Sequence, residues 1–356
     1  MINVTKTYLP NKEKFNKYVD QLFESGLLTN NGVLVQTLEK RLKEYLGVKH
    51  LLLVSNGTLA LQIAYKVLDL KGDVITTPFS FAATVSCQVW EGLNPIFCDI
   101  DRETFCMDCD KLEGMITESA SAIIPVHVFG NPCYVEKINQ IASKNNLKVV
   151  YDAAHAFGVR YKGESVLNYG DIATLSFHST KVFHTIEGGA LIFNNSDLYE
   201  KAKLMINFGI DKPDSIVELG INAKMNEFQA AMGLCVLDDM EWITFQRKRV
   251  YNYYRDNINN ESVSFQKFNP FGTNNYAYFP VVFENEDQLL NVKAKLNDLD
   301  IYPRRYFYPS LDTLCYLENP ICSEVSRDIS SRILCLPMYD SLSESELKNI
   351  VDIINS

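Results

Sequence analysis

One lysine stands where it could do chemistry. Lys181 follows the apolar run 172–177, with Ser176 and His178 just before it, and His184 and a Glu187-Gly188-Gly189 turn after it. A lysine attacks a carbonyl only as the neutral amine, so it works best when burial or a neighbouring positive charge lowers its pKa. On its own, Lys181 would read better as a solvated charge in a polar surface loop.

Other apolar runs end in residues that complement it. The run 51–54 leads into Ser55-Asn56-Gly57-Thr58 and then a helical pattern. A glycine turn feeding a helix N-terminus offers free N–H groups to a phosphate, although an ordinary Ser/Asn/Thr cap would look the same. No Walker loop is present. The run 73–77 ends at Pro78-Phe79-Ser80-Phe81, where Phe81 could offer a ring face to a planar ligand or pack in the core. The run 148–151 ends at Asp152-Ala153-Ala154-His155. A carboxylate directly after a buried run needs a cationic or hydrogen-bonding partner, unless it caps a helix.

The elements that must hold these groups are legible from periodicity. Near-continuous apolar runs at 51–54, 73–77, 95–99, 122–128, 148–151, 172–177 and 189–193 mark strands covered on both faces. Helical spacing at 58–68 and 133–143 falls between them. Strand–helix alternation predicts a three-layer α/β/α domain around a mostly parallel seven-stranded sheet. In such sheets, ligands bind outside the carboxyl ends of the strands. A helix is predicted at 197–207, then a long one from 225 to about 257 with Gly233 as its weak point. After that the pattern changes, with strands at 276–283 and 333–337, a helix at 286–296, and a final helix opened by the Ser343/Glu346 capping-box pair. We expect a large domain over 1–244, including an N-terminal helical segment, and a smaller α+β domain over 245–356.

A phosphate cradle, a ring platform, a buried carboxylate, hydroxyls and a lysine together match one ligand, pyridoxal phosphate. Its aldehyde takes a lysine Schiff base, and its pyridinium nitrogen takes an acidic partner.

Bulk composition narrows the partners. The formal net charge of −10 argues against a nucleic-acid surface, which would need clustered Lys and Arg. The nine cysteines are scattered, and the only C-x-x-C, Cys106–Cys109, has no second pair or nearby His to complete a zinc set, so no metal is expected. No signal peptide or membrane span is expected either, and a reduced cytoplasmic setting fits best.

The chain resembles the DegT/DnrJ/StrS family of sugar aminotransferases, of the aspartate-aminotransferase-like fold. The resemblance runs through nearly all of it and rests on Ser55–Leu61, Thr77–Phe81, Pro125–Gly130, Asp152–Ala156 and Ser176–Lys181 with Glu187-Gly188-Gly189. It also rests on Gly220–Met225 with Gln229–Ala231, on Leu336-Pro337 and on 342–346. The resemblance implies that Lys181 forms the Schiff base and moves the proton, Asp152 pairs with the pyridine nitrogen, and Phe81 stacks on the ring. It places Gly57, Thr58 and Ser176 on the phosphate and His155 near the phenolic oxygen. Asn222 would reach the phosphate of a neighbouring subunit, implying a homodimer with shared sites, although it could simply cap a helix. Arg305, Tyr306 and Tyr308 correspond to a loop near the substrate, with surface placement the alternative for Arg305. Family dehydratases carry histidine in place of the lysine; Lys181 favours transamination.

The implied reaction carries an amino group from L-glutamate, which leaves as 2-oxoglutarate, through the pyridoxamine phosphate form to a nucleotide-linked keto sugar. The subgroup most resembled aminates C4 of dTDP-4-keto-6-deoxyglucose to give dTDP-4-amino-4,6-dideoxyglucose. Amination of a 3-keto sugar is the rival within the class, and a non-catalytic sugar-nucleotide-binding protein is the rival outside it.

Overall fold

The structure, a computed structural model, describes residues 1–318 and 320–356. Its centre is a seven-stranded sheet built from β1 (His50–Val54), β2 (Asp73–Thr76), β3 (Asn94–Phe97), β4 (Ala120–Ile124), β5 (Lys148–Asp152), β6 (Ile172–Ser176) and β7 (Gly189–Phe193). The spatial order is β1-β7-β6-β5-β4-β2-β3. β7 runs antiparallel to both of its neighbours, and every other pairing is parallel.

Strand side chains alternate between two cores, which is why the runs read as continuously apolar. Leu51, Leu53, Ile75, Ile123, Val149, Tyr151 and Leu175 face one core; Leu52, Val54, Val74, Ile124, Val150, Ile172 and Phe193 face the other. The first core is covered by helices Val33–Leu46, Val135–Lys144 and Glu227–Asp238, the second chiefly by Gly57–Val67 and Ser196–Met205. All seven expected strands are present. β4 stops at Ile124, short of the expected 128, because Pro125 lacks an N–H for the ladder and Val128–Gly130 forms a 3₁₀ turn.

Three expectations need correction. The helix expected over 225–257 is two, Glu227–Asp238 and Met240–Asn257, and the break falls at Asp239 rather than Gly233. Gly233 is retained for packing: a Cβ there would meet methyl groups of Leu38 and Thr185 at 2.7 Å. The strand expected from 276 begins only at Pro280. The buried Arg247 takes the carbonyls of Tyr276 and Ala277 at 3.0 and 2.8 Å, drawing that stretch out of the ladder, and Tyr276 adopts φ 56°. The strand expected to run to 337 ends at Cys335.

The C-terminal region builds an antiparallel sheet from Val263–Phe265, Pro280–Phe283 and Ile333–Cys335, packed with helices Glu286–Asp298 and Glu344–Ile354. The last helix opens with the Ser343/Glu346 capping box. Helix Met240–Asn257 runs unbroken through the expected domain boundary at 244/245. Met240 and Ile243 lie in the core of the large sheet, Val250 and Tyr254 in the C-terminal core. Ile2–Asn3 pairs with Ile301–Tyr302, so the first residues also meet the C-terminal region. Among the described residues no helix is long and apolar enough to cross a membrane.

Helix Val33–Leu46 begins at Gly32, which has no side chain to cap it. The buried Glu227 carboxylate does so from 193 residues away, accepting from Leu34 N at 2.8 Å and Val35 N at 3.1 Å. Glu227→Ala should therefore cost about 3 kcal/mol, as two buried amides lose a carboxylate acceptor. Denaturant titration against the parent chain checks this; a loss below about 1 kcal/mol would mean that water replaces the cap.

Candidate active site

A cavity of about 500 Å³ opens at the carboxyl ends of β1, β2, β5 and β6. At one end, β1 passes through Ser55 and Asn56 into helix Gly57–Val67, whose N-cap Asn56 accepts from Leu59 N at 2.8 Å. Gly57 and Thr58 line the cavity, and first-turn amides have no intrahelical acceptor. This helix start sits against the end of β6: a Cβ on Gly57 would fall 2.8 Å from Ser176 Cβ and 3.2 Å from Ser176 Oγ. Amides, dipole and hydroxyl thus converge into an anion cradle.

On the floor, Asp152 ends β5 and is buried. Its Oδ2 accepts from Thr84 Oγ1 at 2.8 Å, which in turn lies 2.7 Å from Ser80 Oγ; its Oδ1 accepts from Ala154 N at 3.1 Å. It does not cap a helix, since turns follow it. Burial raises its pKa, while the bonds from Thr84 and Ala154 and the Lys181 charge oppose the rise.

Lys181 lies in the irregular segment after β6, its backbone N–H bonded to His178 O. Its Nζ reaches the Tyr278 hydroxyl at 3.4 Å. Burial lowers its pKa to about 8, with Asp152 and Tyr306 pulling the other way. Of the two aromatics after β2, Phe79 is fully buried against Phe105, Phe129 and Phe307, while Phe81 lines the cavity and is 55% exposed. The rings of His155, Phe129 and Phe307 lie within 7° of parallel with centroids 5.6–6.0 Å apart, and burial pushes the His155 pKa well down. At the mouth, His178 Nε2 lies 3.5 Å from Glu187 Oε1.

Gly57, Thr58, Phe81, Asp152, His155, Ser176, Lys181 and Tyr306 are thus brought to one cavity. Three other residues singled out from the sequence are not. Arg305 turns away: its Nη2 holds Glu286 Oε1 at 2.6 Å and Ser331 O at 2.7 Å, and its guanidinium lies 3.5 Å from the centroid of the Tyr308 ring. Tyr308 is exposed on that outer side. The backbone of Arg304 bridges Cys335, and neighbours in extended chain face opposite ways, so Arg304 lines the cavity instead. Asn222 is exposed beside Asn207, outside this chain's own cavity.

Tyr278 was not singled out, because its segment reads as regular strand until Arg247 pulls it aside. His184 has a structural task. Its Nε2 meets Tyr8 O at 2.8 Å and its Nδ1 accepts from Ile186 N, tying the N-terminal segment to the loop that carries Lys181.

An anion cradle at one end, an accessible ring, a buried carboxylate with no ion pair among the described residues, and an amine of lowered pKa fit pyridoxal phosphate. The fold and these groups fit the class of pyridoxal-phosphate-dependent enzymes built on a seven-stranded sheet. The profile of the DegT/DnrJ/EryC1/StrS aminotransferase family matches residues 10–355, and the chain belongs to that family. It is 42% identical to a dTDP-4-amino-4,6-dideoxy-D-glucose transaminase of Shigella dysenteriae over 99% of this chain and 98% of the relative. The Escherichia coli protein of the same description is 36% identical at the same coverage. The crystal structure of DesI in the presence of its TDP-sugar product superposes with a TM-score of 0.94 at 29% identity, over 99% of this chain and 92% of DesI.

Gly57→Ala tests the cradle. The added methyl would press on Ser176 and part the helix start from β6, weakening pyridoxal phosphate binding by ~10-fold or more. Absorbance titration of the refolded apoprotein measures it, with circular dichroism showing that the fold is kept; an unchanged affinity would place the phosphate elsewhere.

Proposed function

We propose that this enzyme transfers the amino group of L-glutamate to C4 of dTDP-4-keto-6-deoxyglucose, giving dTDP-4-amino-4,6-dideoxyglucose. The observation that carries the reading is the 42% identity, over nearly the full length of both chains, to a transaminase of that description. Lys181 would hold the cofactor's aldehyde carbon, Asp152 its ring nitrogen and Phe81 a ring face. Gly57, Thr58 and Ser176 would hold the phosphate, with His155 near the phenolic oxygen. When bound, pyridoxal phosphate supplies an electron sink for the charge left when a C–H bond beside nitrogen breaks.

The rest falls to the protein. Asp152 supplies the negative charge that keeps a ring nitrogen protonated. Lys181, with a pKa near 8, is neutral in a sizeable fraction at physiological pH and can take a proton from carbon and return it. Arg304 offers a guanidinium to two anionic substrates, an amino-acid dicarboxylate and a nucleotide diphosphate. Both substrates use one cavity in turn, so kinetics should be ping-pong, with glutamate alone releasing one equivalent of 2-oxoglutarate per site.

The active unit in this reading is a cytoplasmic homodimer. Its support is that Asn222, outside its own cavity, follows a segment exposing Ile216, Val217 and Leu219.

Incubation with glutamate and, separately, 3-keto and 4-keto dTDP-6-deoxy sugars should give a 4-amino product by NMR; a 3-amino product would overturn the C4 assignment. Borohydride should fix the cofactor on the Lys181 peptide, and Lys181→Ala should lose activity by ~10³-fold or more. Asp152→Asn should keep bound cofactor yet lose most of its rate, and an unchanged rate would remove Asp152 from its role.

A further inference from the structure

Tyr278 is a buried titratable group that the proposed chemistry leaves without a task. It lies in the stretch that Arg247 draws out of the C-terminal sheet. Its hydroxyl is 3.3 Å from His155 Nε2 and 3.4 Å from Lys181 Nζ, and its ring centroid is 4.5 Å from that of His155. On the far side of His155, Nδ1 accepts the backbone N–H of Phe129 at 3.2 Å. Phe129 is held at φ 57°, a left-handed conformation unusual for a bulky residue.

The Phe129 contact fixes the direction of the His155–Tyr278 bond. A ring nitrogen that accepts an N–H carries no proton, so neutral His155 has its proton on Nε2 and donates it to Tyr278 Oη. Lys181 Nζ, 3.4 Å from the same oxygen, donates to it as an ammonium, whereas a neutral amine can instead accept the Tyr278 proton on its lone pair. An ammonium at Lys181 would thus leave the buried phenolic proton without an acceptor among the described residues.

We propose that Tyr278 is a positioning residue: at the end of a Phe129–His155–Tyr278 chain, its hydroxyl donates to Lys181 and holds that side chain as the proton-accepting amine. The inference rests on Lys181 being the reacting amine of the proposed function. Other groups facing Lys181 act separately. Asp152 and Tyr306 favour the ammonium, Arg304 lines the same wall, and His178 and Glu187 stand at the mouth. Arg247, Arg304 and Cys335 face Tyr278, and burial still raises its pKa far above the usual phenol, so it keeps the proton it donates.

The test is the pH dependence of Lys181 acylation, read by mass spectrometry after a brief acetic anhydride pulse on the full-length chain, with and without pyridoxamine phosphate. The parent midpoint should fall near 8. Tyr278→Phe keeps the ring and removes the hydroxyl, and should raise the midpoint by ~1 unit, so that labelling at pH 8 drops several-fold. His155→Phe frees Tyr278 to accept and should raise it too. The double variant should shift no further than Tyr278→Phe alone, because both act through one hydroxyl, whereas independent loosening of the cavity would add. An unmoved or lowered midpoint in Tyr278→Phe overturns the proposal, even if His155→Phe does not fold. So do additive shifts. Acylation needs no turnover, so failure to aminate a sugar would leave this titration readable.

Discussion

A buried carboxylate and a half-buried amine share one cavity here without closing into an ion pair. Desolvation pushes Asp152 towards its neutral form and Lys181 towards its own. Each charge steadies the other at a distance, and Thr84 and Ala154 hold the carboxylate by donation rather than by neutralisation. Collapse into a contact pair would satisfy both groups and leave neither free for a ligand. Asp152 is fixed as the last residue of β5, while Lys181 is carried by the irregular segment after β6, the adjacent parallel strand.

The same sheet explains why this part of the site could be read from sequence. Strands buried on both faces declare themselves as apolar runs, and the topology of parallel sheets puts ligands at their carboxyl ends. Ser176, Asp152 and Gly57 are therefore locatable from where each run stops. The opposite wall has no such signature. Tyr278 belongs to a stretch whose composition is that of a strand, and only the distant Arg247 guanidinium shows that it is not one. Arg304 and Arg305 are the same residue type side by side. Which one faces the cavity depends on a backbone bridge to Cys335, 31 positions on, and no local pattern carries that information.

Long-range polar contacts were hidden for a related reason. Glu227 falls inside the helix expected from 225 and is the first residue of the observed one, yet its carboxylate caps a different helix across the core. His184 lies three residues from Lys181, which invites a chemical reading. Its two bonds instead join Tyr8 and Ile186, and so fasten the N-terminal segment over the loop that presents the lysine. In both cases residue type suggests reactivity or capping, and the partner, supplied by tertiary structure, decides the task.

The two walls of the cavity thus have different origins. The floor and cradle come from the sheet and its first helix, where the backbone itself fixes Gly57, Asp152 and Ser176. The facing wall of Tyr278, Arg304 and Tyr306 comes from irregular chain, held by Arg247 through the carbonyls beside Tyr278 and by backbone pairing with Cys335. A planar cofactor needs a fixed floor, because its ring and phosphate do not change from one substrate to the next. The irregular wall is therefore the part of the site least determined by local sequence.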